Sequence, residues 1–106
     1  MKIELFFLRD CPNYLETRAL LEDTLEKEGL AVPIEMVEVT TEKQAKELLF
    51  PGSPTIRLDG YDIDDDSAKT SEHGLRFRKY KSPNPRGIAT RAIISQGVKR
   101  LLEEAK

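Results

Sequence analysis

A run of four large apolar residues, Leu5 to Leu8, follows a short alternating segment near the start of the chain. Such a run is typical of a strand buried on both faces, as in a mostly parallel sheet that helices cover. We therefore predict a first strand over residues 2–8. Parallel neighbours need crossover connections, so helices and strands should alternate along the chain that follows.

A first helix is expected to begin beside Cys11. Pro12 suits its first turn, because the N–H that proline lacks would have no partner there. Tyr14 and Leu21 share one helical face, and Gly29 supplies the stop. This placement puts the one cysteine of the chain between a buried strand and a helix start.

The middle of the chain continues the alternation. Residues 34–39 are rich in β-formers and predict a second strand. Thr41 and Gln44 make a capping-box pair before a short second helix. Residues 55–58 predict a third strand, and Asp-Gly at 59–60 predicts a tight hairpin turn.

The last third of the chain predicts one more strand and one more helix. Residues 75–80 alternate after an acidic loop and are expected to form the fourth strand, and Pro and Gly at 83–87 break the chain before the closing helix. The apolar stripe of that helix comprises Ile93, Ile94, Val98, Leu101, Leu102 and Ala105. The order β-α-β-α-β-β-α predicts an α/β fold with a central mixed four-stranded sheet flanked by helices, in one domain over residues 1–106.

The composition excludes several classes of function. Hydrophobic residues at 39% and charged residues at 34% suit a globular chain, not a disordered one. No apolar run approaches the ~20 residues that cross a bilayer, and Glu4 stands where a secretion signal would continue apolar. The net charge of −2 attracts neither nucleic acid nor anionic lipid. We expect a cytoplasmic monomer or weak dimer without nucleic-acid or membrane partners.

One local cluster of basic residues stands against this acidic balance. We interpret it as a solvated strand face and turn, since nucleic-acid binders usually have a basic domain as well as a basic patch. The cluster comprises Arg76, Arg78, Lys79, Lys81 and Arg86.

Cys11 is the only cysteine, so any disulfide it forms must be with another molecule. Free N–H groups and the dipole at a helix N-terminus favour an anion, and hence a thiolate. The flanking Asp10, Pro12 and Asn13 are loop and cap residues, which favours an accessible, reactive thiol. The structural alternative is a buried, inert cysteine.

Pro54 stands between Ser53 and Thr55 at the start of the predicted third strand. An X-Pro bond is the only kind of peptide bond that is readily cis, although an ordinary trans turn is the commoner case. A cis bond here would turn the backbone of Ser53 outward. Its N–H and C=O would then be free to pair with an extended peptide or with glutathione.

Together these features resemble the thioredoxin family: a strand, Cys-Pro at a helix start, and a proline before a later strand. Residues 10–14 and 51–60 are similar to those of a group of small bacterial and archaeal thioredoxin-like proteins, many of them labelled alkylmercury lyase-like. The resemblance implies that Cys11 is the attacking cysteine and that Pro54 is cis and faces its thiol. The residues it implies around the substrate are Pro12, Tyr14, Ser53, Pro54 and Thr55.

Two departures limit the chemistry that the resemblance implies. Tyr14 stands where a redox-active thioredoxin has its resolving cysteine, and Phe77 stands where the closer group often has another. One sulfur excludes dithiol chemistry within the chain. What remains is monothiol exchange or deglutathionylation, with a thiol- or disulfide-containing partner protein and glutathione as candidate co-substrate.

Two other classes of function stay open. The first is a non-enzymatic binding module that docks a peptide beside Ser53 and Pro54, with Cys11 incidental. The second is soft-metal handling by the thiolate, for which one sulfur per chain requires a dimer or an added thiol.

The acidic loop does not have the pattern of a metal site. Asp62, Asp64 and Asp66 alternate as in a calcium loop, but Ser67 and His73 stand where the turn glycine and the bidentate acid belong. The single histidine also rules out a closed zinc site of the usual kind within one chain. We expect no metal, no bound cofactor and a solvated acidic loop.

Overall fold

A computed structural model describes residues 1–69, 72–81 and 87–104, with the side chain of Asp66 left out. Four residues of the predicted helix-breaking segment at 83–87, namely 83–86 with Arg86 of the basic cluster, lie outside these residues, as does Ala105 of the predicted closing helix. Within the described ranges, no helix is both long enough and apolar enough to cross a membrane.

The chain forms a mixed α/β structure with a four-stranded sheet, as predicted. The sheet order is β2-β1-β3-β4, with β1 parallel to β2 and antiparallel to β3, and β4 antiparallel to β3. The strands are β1 (Ile3–Phe7), β2 (Ile34–Glu38), β3 (Thr55–Leu58) and β4 (Tyr61–Asp62). The helices are α1 (Tyr14–Lys27), α2 (Glu42–Glu47), α3 (Asp65–Ala68) and α4 (Arg91–Glu104).

The central strand β1 has an apolar cluster on each of its faces. Leu5 packs on one side with Leu21 of α1 and Ile94 of α4, while Phe6 packs on the other side with Ala45 of α2. Successive side chains of a strand point to opposite faces, so an apolar run needs cover on both. The prediction of a doubly covered first strand is confirmed.

The prediction of a fourth strand over residues 75–80 is wrong. Asp59 and Gly60 adopt positive φ values of 51° and 87°, which is the geometry of a two-residue type I′ hairpin turn. This turn brings Tyr61–Asp62 directly back against β3, so the place beside β3 is taken by the nearest chain in sequence. Residues 75–80 make only one bridge, a parallel one from Phe77 to Ser53.

The start of α1 also differs from the prediction. The helix begins at Tyr14 with Asn13 as its N-cap, so Pro12 precedes the helix instead of occupying its first turn. A tight turn, in which the Cys11 N–H donates to the Leu8 carbonyl at 3.0 Å, uses the residues directly after β1. Cys11 therefore lies two residues before the N-cap.

Two threonines on the inward face of α1 make a matched pair for a stability test. Thr17 and Thr24 are 1% and 3% exposed; the Thr24 hydroxyl donates to the Leu20 carbonyl at 2.9 Å, whereas the Thr17 hydroxyl has no partner among the described residues. An unpaired buried hydroxyl costs about 1–3 kcal/mol. We expect Thr17→Val to raise the free energy of unfolding by about 1 kcal/mol and Thr24→Val to lower it by about 1 kcal/mol, measured by urea denaturation. Equal changes in the free energy of unfolding for the two variants would contradict the conclusion that the Thr17 hydroxyl is unpaired.

Candidate functional site

The loops that carry Cys11 and Pro54 lie at the same end of the sheet. β1 and β3 run antiparallel with Phe6 opposite Thr55, so the chain leaves β1 where it enters β3. The Leu8 N–H donates to the Ser53 hydroxyl at 3.0 Å, which joins the two loops directly. The bond between Ser53 and Pro54 is cis, as predicted.

The thiol of Cys11 is not accessible in this structure. The residue is only 4% exposed, so the expectation of an accessible thiol is wrong. The turn to Leu8 folds the loop back onto β1, and Tyr14 stacks on Phe7 with ring centroids 4.5 Å apart. These two contacts draw the loop inward, because the ring pair ties the first turn of α1 to the end of β1.

The predicted substrate-binding residues divide into two groups. Pro12 is exposed and Tyr14 half-buried, while Ser53, Pro54 and Thr55 are buried. The Ser53 N–H donates to the Arg76 carbonyl and the Ser53 carbonyl accepts from the Arg78 N–H, both at 2.9 Å. The expectation that this backbone is free to bind a ligand is therefore wrong, because the chain itself fills its hydrogen-bonding positions.

Arg78 holds this arrangement in place. Its side chain is 1% exposed, and its guanidinium donates to both carboxylate oxygens of Asp62 at 2.8 Å. It also donates to the Asp64 carbonyl and to the hydroxyls of Ser67 and Thr55. Burial lowers the pKa of Arg78, but the interactions with Tyr80, Asp62 and Asp64 raise it by a larger amount, so the net shift is upward.

Tyr80 connects Arg78 to the proline loop. Its hydroxyl donates to the Pro54 carbonyl at 2.7 Å, and the Arg78 guanidinium lies over its ring, 4.4 Å from the centroid. Burial raises the pKa of Tyr80 well above its usual value; Arg78 lowers it, while the negative charges of Asp62, Asp64 and an ionised Cys11 raise it. The Tyr80 hydroxyl stays protonated and donates at neutral pH.

The sequence pattern did not single out Asp62, Arg78 or Tyr80 as site residues. Arg78 was expected on a solvated face and Asp62 in a solvated loop, and both expectations are wrong. Arg78 and Tyr80 point inward, whereas Leu75 and Phe77 are exposed. One feature of the sequence could have indicated the pairing of Arg78 with Asp62: an acidic stretch is followed by alternating basic residues of complementary charge.

Other parts of the described chain offer less chemistry. A cavity of about 780 Å³ lies between α1 and the segment before β2, and none of the candidate residues lines it. No three Cys, His, Asp or Glu side chains converge on a metal position in the parts of the chain that the structure describes. Comparison of the sequence and the structure with known protein families, curated proteins and solved structures finds no match.

The buried tyrosine predicts a stability loss at alkaline pH. Tyr80 in the unfolded chain ionises near pH 10, but in the folded chain it stays protonated, so ionisation favours unfolding as pH rises above about 10. We expect one of the three tyrosines to ionise only when the protein unfolds. Tyrosinate absorbance at 295 nm, followed together with circular dichroism, measures this.

Two variants identify the tyrosine that ionises only on unfolding, which gives a late step in the alkaline titration. Tyr80→Phe should remove it, whereas Tyr61→Phe, which replaces a side chain that is 68% exposed, should keep it. A late step that survives Tyr80→Phe would contradict the assignment.

Proposed function

We propose that this chain is a thioredoxin-like protein of the cytoplasm that performs monothiol exchange through Cys11. One observation carries the proposal: the fold brings the Cys11 loop and the cis Pro54 to one end of the sheet and joins them by the bond from Leu8 to Ser53. A backbone edge that holds an extended peptide would orient a disulfide of that peptide toward a nearby thiol, and such positioning raises the rate of exchange. Ser53, Pro54 and Thr55 form that edge.

The reaction we propose is deglutathionylation in two exchange steps. The Cys11 thiolate attacks the glutathione sulfur of a glutathionylated partner; the partner's S–S bond breaks, and its sulfur leaves as a thiolate that takes a proton from water. A second glutathione thiolate then attacks the mixed disulfide and releases Cys11. The partner cysteine is reduced, and oxidised glutathione is the product.

The missing second sulfur suits this scheme. Tyr14 stacks on Phe7 and contributes packing where a dithiol enzyme would place its resolving sulfur. A mixed disulfide on Cys11 therefore persists until a thiol from solution attacks it. Glutathione is the candidate for that thiol, and it acts as a co-substrate, not as a bound cofactor.

The burial of Cys11 favours one alternative function. A thiol that is 4% exposed is typical of an inert core cysteine, and the same fold would then dock a partner peptide without chemistry. In that binding module the edge beside Pro54 carries the function and Cys11 only fills space.

Turnover of a glutathionylated peptide by catalytic amounts of protein tests the proposal. With reduced glutathione at pH 7, we expect the protein to release the peptide thiol about tenfold faster than buffer does. We expect Cys11→Ser to give the buffer rate, because a hydroxyl cannot form the mixed disulfide. Reverse-phase chromatography follows the peptide, and mass spectrometry detects glutathione on Cys11.

The outcome separates the two functions. Equal rates for the natural protein and Cys11→Ser would overturn the exchange reaction. Peptide binding that remains unchanged in Cys11→Ser, measured by fluorescence anisotropy on a folded variant, would then assign the binding module.

A further inference from the structure

Residues 75–80, which we call the strap, lie across the backbone edge at Ser53. The Ser53 N–H donates to the Arg76 carbonyl and the Ser53 carbonyl accepts from the Arg78 N–H, with Phe77 between them. These are the two hydrogen bonds that an added extended peptide makes with an edge residue. The strap thus occupies the position of a peptide ligand.

The strap forms only this single bridge and does not continue as a strand. The Tyr80 N–H donates to the Gly87 carbonyl at 2.7 Å instead of extending the pairing along β3. Leu75 and Phe77 are exposed, so their apolar side chains bury little surface that would hold the segment down. Its attachment therefore depends on the bridge at Ser53 and on two inward side chains, Arg78 and Tyr80.

One ion pair supplies the main anchor of the strap. The Arg78 guanidinium reaches both carboxylate oxygens of Asp62, at the end of β4. Gly52 has a φ of 132°, and a Cβ there would come within 2.9 Å of the backbone of Arg78, so the strap lies directly on the loop before Pro54. Such close contact leaves no room for a second chain at this edge.

Ser53 connects the strap to the loop that carries the thiol. Its backbone pairs with the strap, its hydroxyl accepts from the Leu8 N–H, and the Leu8 carbonyl accepts from the Cys11 N–H. Tyr80 is buried and donates to the Pro54 carbonyl. Movement of the strap that withdraws Tyr80 would uncover the proline loop and open the neighbourhood of Cys11 together.

We infer that the strap occupies the backbone edge at Ser53 at which a peptide substrate would bind. The peptide reaches Ser53 and Cys11 by displacing the strap, and this displacement breaks the ion pair between Arg78 and Asp62. The identity of the displacing ligand rests on the proposed function. The opening itself does not, since it is a property of the free protein.

Alkylation of Cys11 by iodoacetamide tests the opening without any turnover. The protein has one cysteine, so the reaction reports one site. If the strap opens locally, alkylation at low urea should proceed through an opening that exposes less surface, and depends less on urea, than global unfolding. Alkylation with the full urea dependence of global unfolding would overturn the inference.

A matched pair of variants connects the opening to the ion pair. Arg78→Lys keeps the charge but loses the two-pronged contact with Asp62, and it should speed alkylation about tenfold. Arg76→Lys is the control in the same strap, because the Arg76 side chain is 41% exposed and pairs with Glu72 at the surface. We expect Arg76→Lys to leave the rate within about twofold. Equal rates in two folded variants would overturn the role of Arg78.

Amide hydrogen exchange tests the displacement by substrate. A glutathionylated peptide is added to Cys11→Ser, which keeps the backbone edge at Ser53 but cannot form the mixed disulfide. We expect the Arg78 amide to lose protection while the Ser53 amide keeps it, because the peptide replaces the strap as the partner of Ser53. Peptide binding with an unchanged Arg78 amide would overturn the displacement. If alkylation shows that the strap opens but the protein does not turn over the glutathionylated peptide, only the exchange reaction is refuted.

Discussion

The buried guanidinium of Arg78 joins separate parts of the chain through its ion pair with Asp62 and its hydrogen bonds to neighbouring groups. A guanidinium that is 1% exposed must have its donors paired, because an uncompensated buried charge is strongly destabilising. Asp62 supplies the charge, and Ser67 and Thr55 supply hydroxyls. The hairpin, the short helix α3, the start of β3 and the strap are therefore held in one arrangement.

The arrangement decides what the candidate site can do at rest. With Arg78 held, its backbone N–H stays on the Ser53 carbonyl, and Tyr80 stays on the Pro54 carbonyl. The edge that would orient a peptide and the thiol that would react with it are closed in the same state. A closed resting state also limits exchange between a lone thiol and small disulfides, since reactivity requires access as well as thiolate character.

The sheet provides the fixed frame for this site. Apolar clusters on both faces hold β1, and Phe6 and Leu5 belong to opposite clusters, so the ends of β1 and β3 cannot shift without disturbing both cores. The bond from Leu8 to Ser53 extends this frame to the two loops. In contrast, the strap does not pair with the frame as a continuous strand: it is attached through the bridge at Ser53 and through the buried side chains of Arg78 and Tyr80.

Local chemistry in the sequence determined β1, β2, β3, the cap of α2 and the Asp-Gly turn. Each depends on residues that lie close together in the sequence. In the cap of α2, for example, the Thr41 hydroxyl accepts from the Gln44 N–H. Only tertiary structure decided that Arg78 turns inward, that residues 75–80 pair with Ser53 and that Cys11 is covered. Side chains in an extended segment alternate, so a shift of one residue exchanges its buried and exposed faces, and a partner distant in sequence sets that choice. For Arg78 that partner is Asp62, sixteen positions earlier in the chain.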